Sequence, residues 1–95
     1  MTEITNVRIS AIDRTKNKIK KHPADQIKRL AAAIEKYGWT VPVIVTLDNT
    51  LLAGEGRIQA AELLGMKEVP VIQIPLTGSA ALEYMLADNR ITDLS

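Results

Sequence analysis

The sequence predicts a small α+β (α/β) domain in which helices pack on one mixed sheet. Strand-like and helix-like segments follow one another in the order β-α-β-β-α-β-α, and 95 residues suffice for one domain but not for two. The chain is 46% apolar and 24% charged, which is typical of a folded globular protein and not of a disordered segment. We therefore expect a single domain over residues 1–95.

The first two predicted elements are a strand and an amphipathic helix. Apolar and polar residues alternate in NVRISAI (6–12), which predicts a half-buried strand. A basic polar loop follows, and Pro23 then suits a first helical position because its missing N–H costs nothing there. Gly38 can close this helix in a left-handed conformation. The apolar positions between them have helical spacing; they are Ile27, Leu30, Ala31 and Ile34.

A hairpin and a short helix come next. VPVIVTL and TLLA, joined by the turn signal Asp48-Asn49, predict two antiparallel strands, with Pro42 near a strand start or an edge. After the glycine-containing GEG, the segment RIQAAELLG predicts a short helix that stops at Gly65. The apolar side of that helix is Ile58, Ala61 and Leu64, with Leu63 alongside.

The last predicted elements are a strand and a helix. VPVIQI predicts the strand, between Glu68 and Pro75, and TGSAALEYML predicts the helix, with Ser79 as its N-cap. The expected buried face of this helix is Leu82, Met85 and Leu86.

Composition excludes several kinds of site. The chain has no cysteine, which rules out a disulfide framework, a thiolate nucleophile and a cysteine-based zinc site. A single histidine, His22, argues against a His-rich metal site, and we predict no metal-binding residues. No apolar run approaches the roughly 20 residues that span a bilayer, and the N-terminus shows no signal-peptide pattern, so we expect a cytoplasmic protein without a membrane partner. Trp39 is expected to anchor the core.

Positive charge is concentrated in one segment. Residues 14–29 carry seven cations against one anion, a net charge of +6, which leaves −5 for the remainder of a chain whose net charge is +1. Such a segment suits a phosphate-bearing partner, either a nucleotide or a nucleic-acid backbone. A solvated surface segment is the alternative.

The segment GEGR, residues 54–57, joins a strand to a helix. Gly54 and Gly56 permit positive φ and close approach of a ligand, and the free N–H groups of the following helix favour an anion. Arg57 opposes the helix dipole there unless it contacts a bound phosphate. The alternative is a tight turn in which Arg57 pairs with Glu55 or another acid. Neither a dinucleotide-binding fingerprint nor a Walker A loop matches the segment.

Three blocks of the sequence, the second of which contains this loop, are QIKRLAAAIEKYGWTVPVIV, LLAGEGRIQAAELLGMKEVPVIQI and LADNRITDLS. Together they resemble the N-terminal domain of ParB proteins, also called the ParB/sulfiredoxin-like or ParB-like nuclease domain. The motif-bearing part covers about residues 17–94, and it looks most like the branch found in phage proteins and ahead of DNA-methylase domains. The resemblance implies the ParB/sulfiredoxin-like fold.

The resemblance also implies a site. In ParB proteins the glycine-arginine box holds nucleotide phosphates, and here it corresponds to Gly54, Glu55, Gly56 and Arg57. An asparagine box after the last strand corresponds to Asp88, Asn89 and Arg90. A basic motif before the first long helix corresponds to residues 18–26. The side chains predicted there to approach DNA or phosphate are Lys18, Lys20, Lys21, His22 and Gln26.

The box departs from the partition-type pattern. Gly56 and Gln59 stand where those proteins carry arginines, so phosphate binding here would depend on Arg57 and the helix N–H groups. The implied cofactor is CTP or another nucleotide with Mg²⁺, and the family label also implies nuclease or NTPase activity, for which Glu55 is the candidate catalytic residue. Expected partners are DNA, a nucleotide, a second copy of the chain or a DNA-modifying protein. The competing interpretation is a protein-interaction or targeting module that uses the fold without nucleotide. Sulfiredoxin chemistry is excluded because it needs a cysteine.

Overall fold

A computed structural model describes residues 3–16, 22–81, 83–84 and 87. Strand β1 spans Ile4–Arg8 and is followed by a 3-10 turn at Ile9–Ala11. The remaining elements are helix α1 (Ala24–Tyr37), strands β2 (Val43–Thr46) and β3 (Leu51–Ala53), helix α2 (Glu55–Leu63) and strand β4 (Glu68–Ile74). Residues 78–81, 83–84 and 87 are also helical. The predicted element order is confirmed.

The four strands form one mixed sheet in the order β1-β4-β2-β3. Strand β4 is central: it pairs antiparallel with β1 and parallel with β2, with Val71 opposite both Thr5 and Val43. Strands β2 and β3 form the predicted antiparallel hairpin, which turns at Asn49 with φ 65°. The fold class, a small α+β domain with a mixed sheet, is therefore confirmed.

Helix α1 follows the predicted apolar spacing closely. Ile27, Ala31 and Ile34 are buried on one face, and the N–H of Ile27 donates to the carbonyl oxygen of Pro23 at 3.1 Å. Pro23 is therefore the N-cap, and the helix begins at Ala24, one residue after the predicted first helical position. Gly38, at φ 82°, closes the helix through its N–H, as expected.

Helix α2 lies between the sheet and helix α1. Ile58 and Ala61 of α2 pack with the buried strand residues in one apolar cluster, whereas Ala60 packs with the apolar face of α1 in a second cluster. All three residues are fully buried. Trp39 packs against both clusters, which confirms it as a core anchor. Helix α2 is consequently packed on two sides.

Two predicted boundaries and one predicted apolar position differ from the structure. The first strand ends at Arg8, because the chain turns into the 3-10 helix and does not continue to residue 12. Leu63 is 57% exposed, since α2 turns it away from both clusters. The last helix begins at Gly78, so Ser79 lies within it and is not its N-cap. The predicted apolar positions Leu82, Met85 and Leu86 lie outside the described residues.

Candidate phosphate-binding site at the start of helix α2

Gly54 makes the turn from strand β3 into helix α2. Its φ of 115° and ψ of 20° place it in a left-handed conformation that glycine tolerates and other residues avoid. A Cβ at this position would also lie 3.1 Å from Cγ2 and 3.3 Å from Cα of Val43. The position therefore requires glycine for two independent reasons, and the prediction that Gly54 adopts positive φ is confirmed.

The backbone at the start of α2 offers N–H groups to a ligand. The first bond of the helical ladder is donated by the N–H of Ile58 to the carbonyl oxygen of Gly54, at 3.0 Å. The helix has no capping side chain. Within the described part of the chain the N–H groups of residues 55–57 consequently find no acceptor, and the helix dipole adds partial positive charge at the same place. This arrangement suits an anion.

Arg57 is the third residue of α2 and is half-buried. The alternative that Arg57 pairs with Glu55 is wrong, because both Glu55 oxygens accept hydrogen bonds from other side chains. No ion pair or hydrogen bond joins the Arg57 guanidinium to any other described residue. Its charge is therefore available to a ligand near the helix start.

Glu55 pairs with Arg14, which lies 41 positions earlier in the chain. Arg14 Nε donates to Glu55 Oε1 at 3.0 Å, and Arg14 Nη2 donates to Glu55 Oε2 at 2.5 Å. Gln59 Nε2 donates to Glu55 Oε2 at 2.9 Å. Burial alone would raise the pKa of Glu55, but these hydrogen bonds and the charges of Arg14 and His22 outweigh it and lower that pKa. Glu55 is therefore ionised and firmly held.

Gly56 serves a purpose different from the predicted one. It is buried and helical, so it does not need positive φ. A Cβ at this position would instead lie 3.3 Å from Cε1, Nδ1 and Nε2 of His22. The absence of a side chain lets the imidazole approach the first turn of α2, and His22 Nδ1 lies 3.4 Å from Gln26 Oε1. The structure thus brings His22 of the predicted DNA- or phosphate-approach motif against Gly56, with Gln26 beside the imidazole.

The remaining predicted site residues lie outside the described part of the chain. They are Lys18, Lys20, Lys21, Asn89 and Arg90. No group of three or more His, Cys, Asp or Glu side chains within the described ranges could hold a metal ion. A Mg²⁺ site made by those protein residues alone therefore does not fit, and the catalytic role of Glu55 stays a prediction. None of the described helices has the length and apolar character that crossing a membrane requires.

Arg14 is a contributor to this region that the sequence-based site did not include. The polar side chains Glu55, Gln59 and Glu62 share one face of α2: the two carboxylates accept from Arg14, and Gln59 donates to Glu55. That polar stripe is visible in the sequence, where it is equally typical of a solvated helix face. Which cation packs along it depends on the tertiary fold.

The chain is similar in sequence and in fold to several known proteins. An Escherichia coli (strain K12) protein, the ParB-like nuclease domain-containing protein YnaK, is 43% identical over 51 residues, which is 54% of this chain and 59% of that protein. A C-terminally truncated chromosome-partitioning protein ParB from Caulobacter crescentus, complexed with CTP-γ-S, superposes with a TM-score of 0.78 at 23% identity, over 92% of this chain and 52% of that one. The same protein has been solved with the centromeric parS site, with a TM-score of 0.73 at 23% identity over 90% of this chain and 46% of that one.

The fold is also shared with a sulfiredoxin. Sulfiredoxin from Arabidopsis thaliana superposes with a TM-score of 0.73 at 22% identity, over 88% of this chain and 97% of that protein. The chain spans less than two thirds of the E. coli and Caulobacter proteins. No comparison separates the phage branch from the rest, so that assignment stays a prediction. The model of the ParB N-terminal domain matches residues 1–90, and the chain therefore belongs to the ParB N-terminal domain family.

Proposed function

We propose that this domain binds the phosphates of a nucleotide, CTP or another nucleoside triphosphate with Mg²⁺, at the start of helix α2. The observation that carries the proposal is the convergence of three features on residues 54–57. They are the positive φ of Gly54, the N–H groups of α2 that no described residue accepts from, and the guanidinium of Arg57, with which no described residue pairs. A guanidinium and backbone amides together are a strong recognition set for phosphate oxygens.

His22 and the asparagine box complete the proposed site. The imidazole of His22 lies against Gly56 and therefore beside the same turn of helix. Asn89 and Arg90, assigned to the site by family resemblance, are proposed to contact the same ligand. The family relationship supports the nucleotide over a simple anion, because a ParB of the same fold has been solved with CTP-γ-S.

We further propose that the domain works together with DNA. The basic segment, residues 14–29, supplies the electrostatic attraction, and Lys18, Lys20, Lys21, His22 and Gln26 form its approach surface. A ParB neighbour solved with the parS site supports DNA as the partner. Hydrolysis of nucleotide or of nucleic acid would add an enzymatic role, for which Glu55 is the candidate residue. A homodimer or a complex with a DNA-modifying protein would provide the assembly, and the cytoplasm is the proposed location.

The competing proposal is a protein-interaction module that uses the fold without nucleotide. Titration calorimetry with CTP and with ATP, each with Mg²⁺, separates the two proposals. We expect wild-type protein to bind a triphosphate and Arg57→Ala to bind it about 10- to 100-fold more weakly, because a charge-assisted contact to phosphate is lost. The matched control is Arg8→Ala, which removes the same charge at a position opposite Glu68 in the pairing of strands β1 and β4.

The outcomes are distinct. Equal weakening by Arg57→Ala and Arg8→Ala would show that only net charge matters and would contradict a localised site. Absence of binding to wild-type protein would favour the interaction module.

A further inference from the structure

Arg14 joins the basic segment to both ends of helix α2. It donates two hydrogen bonds to Glu55, the first residue of the helix, and its Nη1 donates to Glu62 Oε2 at 3.0 Å, two turns further on. The Glu55 side chain is only 14% exposed and that of Arg14 28%, whereas that of Glu62 is 46% exposed. The ion pair of Arg14 with Glu55 is therefore less exposed to solvent than its ion pair with Glu62.

The backbone before Arg14 is fixed independently of these side chains. Asp13 forms a parallel bridge with Thr50, its N–H donates to the carbonyl oxygen of Asn49 at 2.8 Å, and its own carbonyl oxygen accepts from Leu51 N–H at 2.8 Å. Arg14 is thus presented to α2 from a segment that is anchored on the edge of the sheet. This anchoring makes the ion pair a defined feature of the fold.

The position of Glu55 creates a problem for anion binding. A carboxylate in the first turn is favourable for the helix itself, because it complements the helix dipole. The same negative charge repels a phosphate that approaches the N–H groups of residues 55–57. A site for phosphate at this place therefore needs the charge of Glu55 to be cancelled by a cation that does not itself occupy the site.

We infer that Arg14 is a positioning residue of the phosphate site: it holds Glu55 in an ion pair and cancels its charge, so that an incoming phosphate meets the α2 amides and Arg57. The inference rests on the proposed function. Arg14 has little capacity to bind phosphate directly, because four of its five N–H groups are directed to Glu55 and Glu62.

The test uses a second-site rescue. Arg14→Gln keeps a polar side chain but removes the charge, and calorimetry with CTP or ATP and Mg²⁺ is expected to show at least a tenfold loss of affinity. In the double variant Arg14→Gln/Glu55→Gln the repelling carboxylate is gone, and affinity is expected to return to within about threefold of wild type. The matched control is Arg14→Gln/Glu62→Gln, which removes the other carboxylate partner and should not restore binding.

Each other outcome overturns the inference. Full affinity in Arg14→Gln would show that neutralisation is unnecessary, and failure of Glu55→Gln to rescue would indicate direct phosphate contact by Arg14. Equal rescue by Glu62→Gln would mean that only net charge matters. Urea unfolding of each variant separates loss of affinity from loss of fold. Absence of binding to wild-type protein would instead refute the proposed function itself.

Discussion

Replacing Gly54 with alanine tests the geometry of the turn between strand β3 and helix α2 most severely. Alanine at φ 115° must adopt a left-handed conformation, which costs about 1 to 2 kcal/mol. Its Cβ would also lie 3.1 Å from Cγ2 and 3.3 Å from Cα of Val43, a fully buried residue of the central sheet. Overpacking of this kind costs about 1 to 3 kcal/mol. We therefore expect Gly54→Ala to lower the free energy of unfolding by about 2 to 5 kcal/mol.

Gly65→Ala is the matched control for this prediction. Gly65 also has positive φ, at 78°, but nothing lies within 4 Å of the position of its Cβ, so only the backbone cost of about 1 to 2 kcal/mol applies. Urea unfolding followed by circular dichroism measures both values. Thermal midpoints should fall by about 4 to 8 °C for each kcal/mol in a domain of this size. Equal destabilisation by the two substitutions would refute the close packing of Gly54 against Val43.

Two further predictions concern charge. The Arg14 ion pair lowers the pKa of Glu55 from its ordinary value, so the stabilisation by this pair is complete above that ordinary value and is lost as the pH falls through the lowered one. The free energy of unfolding of the wild-type protein should exceed that of Glu55→Gln by about 1 kcal/mol at pH 7, and this difference should disappear in acid. A difference that urea unfolding shows to be independent of pH would contradict the prediction. For DNA binding, the slope of log affinity against log salt concentration should decrease in magnitude by about 1 to 2 in the variant Lys20→Gln/Lys21→Gln and stay unchanged in the control Lys36→Gln. A flat slope for the wild-type protein would contradict a role of the basic segment in DNA binding.

Local patterns predicted the elements, because helices and strands impose periods on apolar residues that are visible in the sequence. The hairpin, helix α1 and the need for glycine at position 54 follow from such patterns. The function of Gly56 does not, because it depends on where His22 lies after folding.

The pairing of Glu55 was likewise beyond local reasoning. Arg57 is two residues away in sequence, yet Glu55 is bonded by Arg14, which the fold brings from 41 positions earlier. The bridge between Asp13 and Thr50 at the sheet edge holds the neighbouring Arg14 where it can pair with Glu55. Sequence patterns therefore located the candidate site but did not identify the ion pair that determines its electrostatics.

Backbone amide chemical shifts during nucleotide titration test the central claim most directly. Spectra of ¹⁵N-labelled protein with increasing CTP or ATP and Mg²⁺ report each N–H group separately. We expect the amide signals of Glu55, Gly56 and Arg57 to shift most among the described residues, because these N–H groups donate to the phosphates in the proposed complex. Unchanged amides at these three positions, with the shifts concentrated elsewhere, would contradict a phosphate site at the start of α2.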